Sequence, residues 1–180
     1  MKVEQLSSEY LSRHPYFTAR KDAYRLPDGK TVDQYFVVEL PPCVVAMALN
    51  AKGDLLLVKQ YRYPVDEVLL ELPGGFIDGD ELPEQAVRRE LLEETGYAFK
   101  EIRFLGSAAA NPGVLNNLTH FFLAMGGERI QDQHLDPNES IQVEIMPMSA
   151  ARQLLLDGGF KQSLHALCLF YGFEYLQSKV

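Results

Sequence analysis

Residues Arg88–Tyr97 read RRELLEETGY. As a helix, this stretch sets Glu90, Glu93 and Glu94 at i, i+3 and i+4, which places three carboxylates on one narrow face. Like charges at those spacings repel by ~0.2–0.5 kcal/mol per pair. Gly96 has the position of a helix stop, so Glu93 and Glu94 fall in the last turn, where the macrodipole favours cations. Arg89 can reach Glu93 one turn on, but such a pair is worth only ~0.3–0.5 kcal/mol and leaves Glu90 and Glu94 uncompensated. The plain reading is a solvated acidic face. The sharper one is a hard divalent cation, Mg²⁺ or Mn²⁺, which takes oxygen ligands and bridges carboxylates to substrate phosphates. The cluster contains no His or Cys, which argues against zinc.

Outward from the helix, the chain alternates strand-like and turn-like segments. Segments 17–25 and 31–40 flank the turn sequence PDG at 27–29 and predict a β-hairpin. Pro41-Pro42 separates it from buried-strand patterns at CVVAMAL and LLLVKQYRY, with a further short strand at EVLLELP. GGFIDGDEL reads as a loop, with Asp80 or Glu81 as cap of a helix from about Pro83 to Thr95. Strands follow at EIRFLGS, THFFLAM and IQVEIMPM, and helices at roughly 149–157 and 162–177. This order predicts a mixed sheet with helices packed on it.

The 180 residues carry a net charge of −8 and are 47% hydrophobic, an ordinary globular composition. Without a basic cluster, polymeric nucleic acid is repelled over most of the surface. The apolar runs are too short to span a bilayer, and the first ten residues lack the apolar core of a secretory signal. A cytoplasmic protein is expected. Cys43 and Cys168 lie in apolar stretches and read as reduced, buried thiols.

Within GGFIDGDELPEQAVRRELLEETGY, Gly75, Glu81, Arg89, Glu90, Glu93, Glu94 and Gly96 fall at fixed spacings. This segment resembles the Nudix hydrolase box, glycine-x5-Glu-x7-Arg-Glu-aliphatic-x-Glu-Glu-x-glycine-aliphatic. All seven fixed residues match. At about one in twenty per position, chance gives on the order of 10⁻⁹. Tyr97 stands where an aliphatic residue is usual. The resemblance implies an α/β/α sandwich with a mixed sheet and Mg²⁺-dependent hydrolysis of a nucleoside diphosphate linked to another group. It also implies roles: Glu90 and Glu94 as main metal ligands, Glu93 as a further one, the Gly74 carbonyl completing the site, and Arg89 holding a metal-binding glutamate in place.

Outside the box, three features resemble the branch that hydrolyses ADP-ribose and nucleoside diphosphate sugars. These are the lead-in VKQYRYPVDEVLLELPGG, Pro112 sixteen residues after Gly96, and the N-terminal hairpin. The resemblance divides the chain into an arm, residues 1–40, that supports a homodimer and its substrate pocket, and a hydrolase domain, 41–180. Arg62 is a candidate diphosphate or sugar contact; the alternative is a surface pair with Asp66 or Glu67. Glu71 is a candidate for substrate hydroxyls, or a plain strand-end acid. Asn111, Asn116 and Asn117 offer amides to a sugar or base, and alternatively belong to a Pro-Gly turn. Glu139, in LDPNESIQVEI, matches the branch's mobile base-carrying loop, with Asp136 and Glu144 as competitors. His120 reads as structural, and His14, His134 and His165 lack metal-ligand spacing.

The expected reaction is cleavage of a nucleoside diphosphate sugar, such as ADP-ribose or GDP-mannose, into a nucleoside monophosphate and a sugar phosphate. The alternatives are another Nudix substrate, a dinucleoside polyphosphate or an oxidised nucleoside triphosphate, and a non-catalytic nucleotide-sugar sensor. A sensor would be expected to lack box carboxylates, and here all are present.

Overall fold

The structure, a computed structural model, describes residues 2–14 and 17–179, so residues 1, 15 and 16 of the expected arm lie outside the described residues. The chain forms two compact units: residues 1–41 with 109–118, and residues 42–108 with 119–180.

The first unit is built on three antiparallel strands, β1 (Glu4–His14), β2 (Phe17–Arg25) and β3 (Thr31–Glu39), in that spatial order. β2 and β3 are the expected hairpin; β1 was not legible. Its side chains are almost all exposed, so no apolar alternation marks it. Asp22 ties β1 to β2 by accepting from the Ser8 hydroxyl (2.7 Å) and from Arg20 Nε (2.9 Å). The segment 109–118 packs with this unit. The Val38 N–H donates to Val114 O (2.9 Å) and the Tyr35 hydroxyl to Gly113 O (2.8 Å).

The second unit is a mixed sheet between two helical layers. Its central strands run β11 (Ile141–Met146), β5 (Leu55–Arg62), β4 (Cys43–Asn50) and β10 (Thr119–Arg129), continued by β9 (Glu101–Ala108) and the two-residue β8 (Tyr97–Ala98). Two short strands, β6 (Glu67–Glu71) and β7 (Gly74–Phe76), pair with β5 and β4. Among the described residues of this unit only β4 and β10 pair in parallel; the other pairs are antiparallel. On one face, Val45, Met47, Leu49, Leu55 and Leu57 pack with residues of α2 (Met148–Leu156) and α3 (Ser163–Gln177). On the other, Val44, Ala46, Ala48 and Leu56 pack with Ala86, Val87 and Leu91 of α1 (Pro83–Thr95). Burial on both faces explains why β4 and β5 read as continuous apolar runs. Tyr97 packs at the edge of the α1 cluster, as an aliphatic residue would.

Two local expectations are corrected. Part of the supposed 74–82 loop is β7, which pairs Gly75 with Val44 of β4. The cap of α1 is Leu82, not Asp80 or Glu81. Pro83 pre-sets the first helical position, and the Gln85 side chain returns to accept the Leu82 N–H (3.0 Å). Glu81 is engaged elsewhere, by Arg89. Gly96 does end the helix, with φ +76° and its N–H on Leu92 O.

Candidate active site

Strand β7 and helix α1 bring the box residues together. Arg89 is the hub. Its Nε and Nη2 donate to the two Glu81 oxygens (3.2 and 3.1 Å), and Nη2 also donates to Phe76 O (3.0 Å). Nη1 donates to Glu90 Oε1 (2.9 Å) and Glu93 Oε2 (3.0 Å). A guanidinium can span this set because its donors are fixed in a planar fork. Glu90 is therefore paired, contrary to the expectation from helix spacing alone, because the long Arg89 side chain folds back toward its neighbour. One cation still serves Glu81, Glu90 and Glu93, so their sum is 1 − 3 = −2.

Glu94 stands apart from Arg89. It is 4% exposed, and its Oε2 accepts the Gly74 N–H at 2.8 Å. Burial drives its carboxyl well above the usual range; the Gly74 bond and Arg62 oppose this, while Glu90 and Glu139 add to it. Burial likewise pushes Glu90 up to about 7, against Arg89 and with help from Glu93 and Glu139. By contrast, hydrogen bonds from Arg89 hold Glu81 below the usual carboxylate range, against its own burial. Glu139 is thus close enough to be felt by Glu90, Glu94 and Arg62. Its own carboxylate accepts the Asp136 N–H (3.1 Å) across a turn. Glu144, one competitor for its role, is ion-paired with Lys59.

The donor set suits a hard divalent cation: all oxygen, with two carboxylates held at low dielectric where an added positive charge relieves both. A Cβ on Gly75 would overlap the Glu90 carboxylate, so the missing side chain is a cradle for it. Glu90 and Glu93 turn toward Arg89 and Glu94 toward Gly74. Among the described residues no three His, Cys, Asp or Glu side chains converge on one metal position. Gly75→Ala is expected to displace Glu90, weaken Mn²⁺ binding about tenfold and lower kcat at least tenfold. Metal titration by electron paramagnetic resonance alongside kinetics checks it; unchanged values would refute the cradle.

Arg62 and Glu71 pair with each other. Arg62 Nε donates to both Glu71 oxygens (3.1 and 3.2 Å) and Nη2 to Oε2 (2.5 Å). The suggested partners are occupied otherwise: Asp66 accepts from the Tyr61 hydroxyl and Glu67 pairs with Lys161. Glu71 does end β6 but is 1% exposed, so it is a buried strand-end acid and not a surface one. Asn111 lies in a turn of the arm unit, its carbonyl accepting the Val114 and Leu115 N–H groups (3.0 and 2.8 Å), with Pro112 between. Asn116 and Asn117 bond the backbone at Leu40 and Pro41.

Four residues act in ways that the sequence does not show. Glu81 belongs to the box, but its grip on Arg89 is visible only in the fold. Gln133 and the His134 N–H bond the backbone carbonyls of Glu94 and Glu93 at the end of α1 (2.5 and 2.8 Å). His165, on α3, accepts the Leu72 N–H through Nδ1 (3.0 Å). Burial, with Arg62 acting in the same direction and Glu71 against, lowers its pKa from 6.5 to about 4. Its pKa is depressed on folding, so between pH 6.5 and 4 the unfolded chain binds more protons. The His165 contribution to stability is full above the unfolded value and is lost as pH falls toward 4, by up to about 3 kcal/mol and less because the residue is only partly buried, while the raised Glu90 and Glu94 carboxyls act in the opposite sense. His165→Asn keeps an acceptor and is expected to flatten that part of the Tm–pH curve. A curve of unchanged slope would remove His165 as its cause.

Comparison with known proteins agrees with this geometry. Residues 39–167 match the NUDIX domain family, and residues 3–38 match the nucleoside diphosphate sugar hydrolase N-terminal domain. An ADP-ribose pyrophosphatase of Bacillus subtilis is 30% identical over 98% of this chain and 96% of its own length. A GDP-mannose pyrophosphatase of Yersinia enterocolitica is 31% identical, covering 95% of each chain. The crystal structure of an ADP compounds hydrolase superposes with a TM-score of 0.87 at 22% identity, over 99% of this chain and 96% of that one. The box geometry on its β7–α1 frame and the family match over most of the sequence agree: the chain belongs to the Nudix family of pyrophosphohydrolases.

Proposed function

We propose that this enzyme hydrolyses the diphosphate of nucleoside diphosphate sugars, ADP-ribose, GDP-mannose or a close analogue, to a nucleoside monophosphate and a sugar phosphate, with Mg²⁺ or Mn²⁺. The observation that carries the reading is the buried Glu94 beside Glu90, with Glu139 and Arg62 in electrostatic reach. The arm's family match and the two relatives acting on ADP-ribose and GDP-mannose support the substrate class.

Glu90 and Glu94 would hold the metal, with Glu93 and the Gly74 carbonyl as further donors. When bound, the metal neutralises diphosphate oxygens and lowers the pKa of water. Arg89 fixes Glu90 and Glu93 while Glu81 fixes Arg89. Arg62, aligned by Glu71, uses Nε and Nη2 in that pair, and Nη1 serves a substrate oxygen. Glu139 takes the proton from the attacking water, the water oxygen bonds to one phosphorus as the bridging P–O bond breaks, and the nucleoside monophosphate and sugar phosphate leave. Asn111 and Pro112 are proposed as sugar- or base-contacting residues. The arm is proposed to support a homodimer, and the location to be cytoplasmic; among the described residues no helix is long and apolar enough to cross a membrane.

The test is incubation with Mg²⁺ and, separately, ADP-ribose, GDP-mannose, UDP-glucose, a diadenosine polyphosphate and 8-oxo-dGTP, with chromatography of products. Metal-dependent release of a nucleoside monophosphate and a sugar phosphate is expected, with relative kcat/KM ranking the sugars. Turnover confined to the polyphosphate or triphosphate would replace the substrate class. Binding without turnover of any would favour the sensor.

A further inference from the structure

Helix α1 ends with carbonyls that have no partner within the helix. The chain preceding the Glu139 loop supplies their donors. Ile130 and Gln131 N–H groups reach Gly96 O (2.9 and 3.3 Å), and the His134 N–H reaches Glu93 O (2.8 Å). The Gln133 side chain does something more. Its Nε2 donates to Glu94 O at 2.5 Å and also to Ile141 O at 3.3 Å. Ile141 is the first residue of β11, where the Glu139 loop ends. One amide therefore joins the start of that loop, its end, and the backbone of Glu94, a residue assigned above to the metal. The approach is close: a Cβ on Gly96 would overlap Gln131 O.

From this arrangement we infer that Gln133 is a positioning residue that couples the metal-binding turn of α1 to the Glu139 loop. With both loop ends held by the same side chain, Glu139 explores a restricted arc beside Glu90 and Glu94. Without the amide, residues 134–140 are held at their start by the His134 N–H and at their end by the pairing of β11 with β5, and Glu139 wanders. The inference rests on the reading of Glu94 as metal ligand and Glu139 as base.

Gln133 borders an open cavity of about 410 Å³ whose wall includes Thr95, Tyr97, Arg129 and Val143, so a substitution there meets space rather than a packed core. Gln133→Met keeps the length and removes the donor; Gln133→Asn keeps the amide but cannot reach both carbonyls. In either variant, hydrogen exchange at the Asp136 and Glu139 N–H groups, which bond to each other's residue across the loop turn, is expected to rise at least tenfold while the central strands β4 and β10 are unchanged. With the best substrate, kcat is expected to fall ten- to fiftyfold and KM to stay within twofold. Combining Gln133→Met with Glu139→Gln should cost less than twofold beyond Glu139→Gln alone, since the clamp acts through the base.

Unchanged exchange in the loop overturns the inference, as do losses that multiply independently in the double variant. Should Gln133→Met fail to fold, the Asn variant carries the same exchange and kinetic criteria. Wild-type turnover in Glu139→Gln would instead refute the base assignment, and loop exchange alone would then decide the clamp.

Discussion

Glu94→Gln is expected to lower kcat at least a hundredfold with the fold intact and Tm unchanged or raised. The carboxylate is 4% exposed and has one hydrogen bond, from the Gly74 N–H. Glutamine keeps an acceptor for that N–H, so the junction between β7 and the end of α1 survives. What disappears is a buried negative charge, and a neutral amide is cheaper to bury than an anion. Stability therefore does not fall. Catalysis does under the proposed function, in which the metal site loses a charged oxygen ligand and with it stabilisation of charge developing on the phosphates, an effect of about 10²–10³ for one preorganised group. Steady-state kinetics in Mg²⁺ with thermal unfolding of the same samples checks both halves. Near-normal turnover would remove Glu94 from the metal site.

Arg89→Ala is expected to do the opposite to stability and the same to activity. It leaves Glu81, Glu90 and Glu93 with no shared cation, taking their sum from −2 to −3, and it frees Phe76 O. Removing one partner of a well-buried ion pair costs about 3–5 kcal/mol, and partial solvent access at Arg89 brings this to about 2–3 kcal/mol. At ~2–4 °C per kcal/mol for a chain of this size, Tm falls by about 4–12 °C. With Glu90 no longer aligned, kcat falls about a hundredfold. Arg89→Lys restores the charge but not the fork, and should recover part of the Tm and little of the rate. A wild-type Tm in Arg89→Ala would mean that the network in the structure contributes nothing in solution.

The helix carrying the box was legible from sequence to its boundaries because everything that defines it is local: Pro83 at its start, Gly96 at its end, and apolar positions between. β4 and β5 were legible because burial on both faces leaves uninterrupted apolar runs, whereas the short, partly exposed β7 and β8 carry no such signal. β1 was not legible, since a strand whose side chains face solvent carries no periodic signal. Nor was the membership of 109–118 in the arm unit, which depends on backbone bonds to β3 across some seventy-six residues of chain.

The chemistry divides in the same way. The spacing of Glu90, Glu93 and Glu94 along one helix was set by the sequence itself, and with it the concentration of negative charge that a divalent cation would relieve. Which glutamate Arg89 would hold, and which would be left to a single backbone N–H, was decided by tertiary structure. β7 brings Gly74, Gly75 and Phe76 against the helix, and Glu81 arrives from the loop between them. The pairing of Arg62 with Glu71, the acceptor role of His165 and the double bond of Gln133 are of the same kind. Each joins residues distant in the chain whose types are unremarkable alone. Burial and hydrogen-bond geometry are properties of the assembled sheet and helices, so only the fold could assign them.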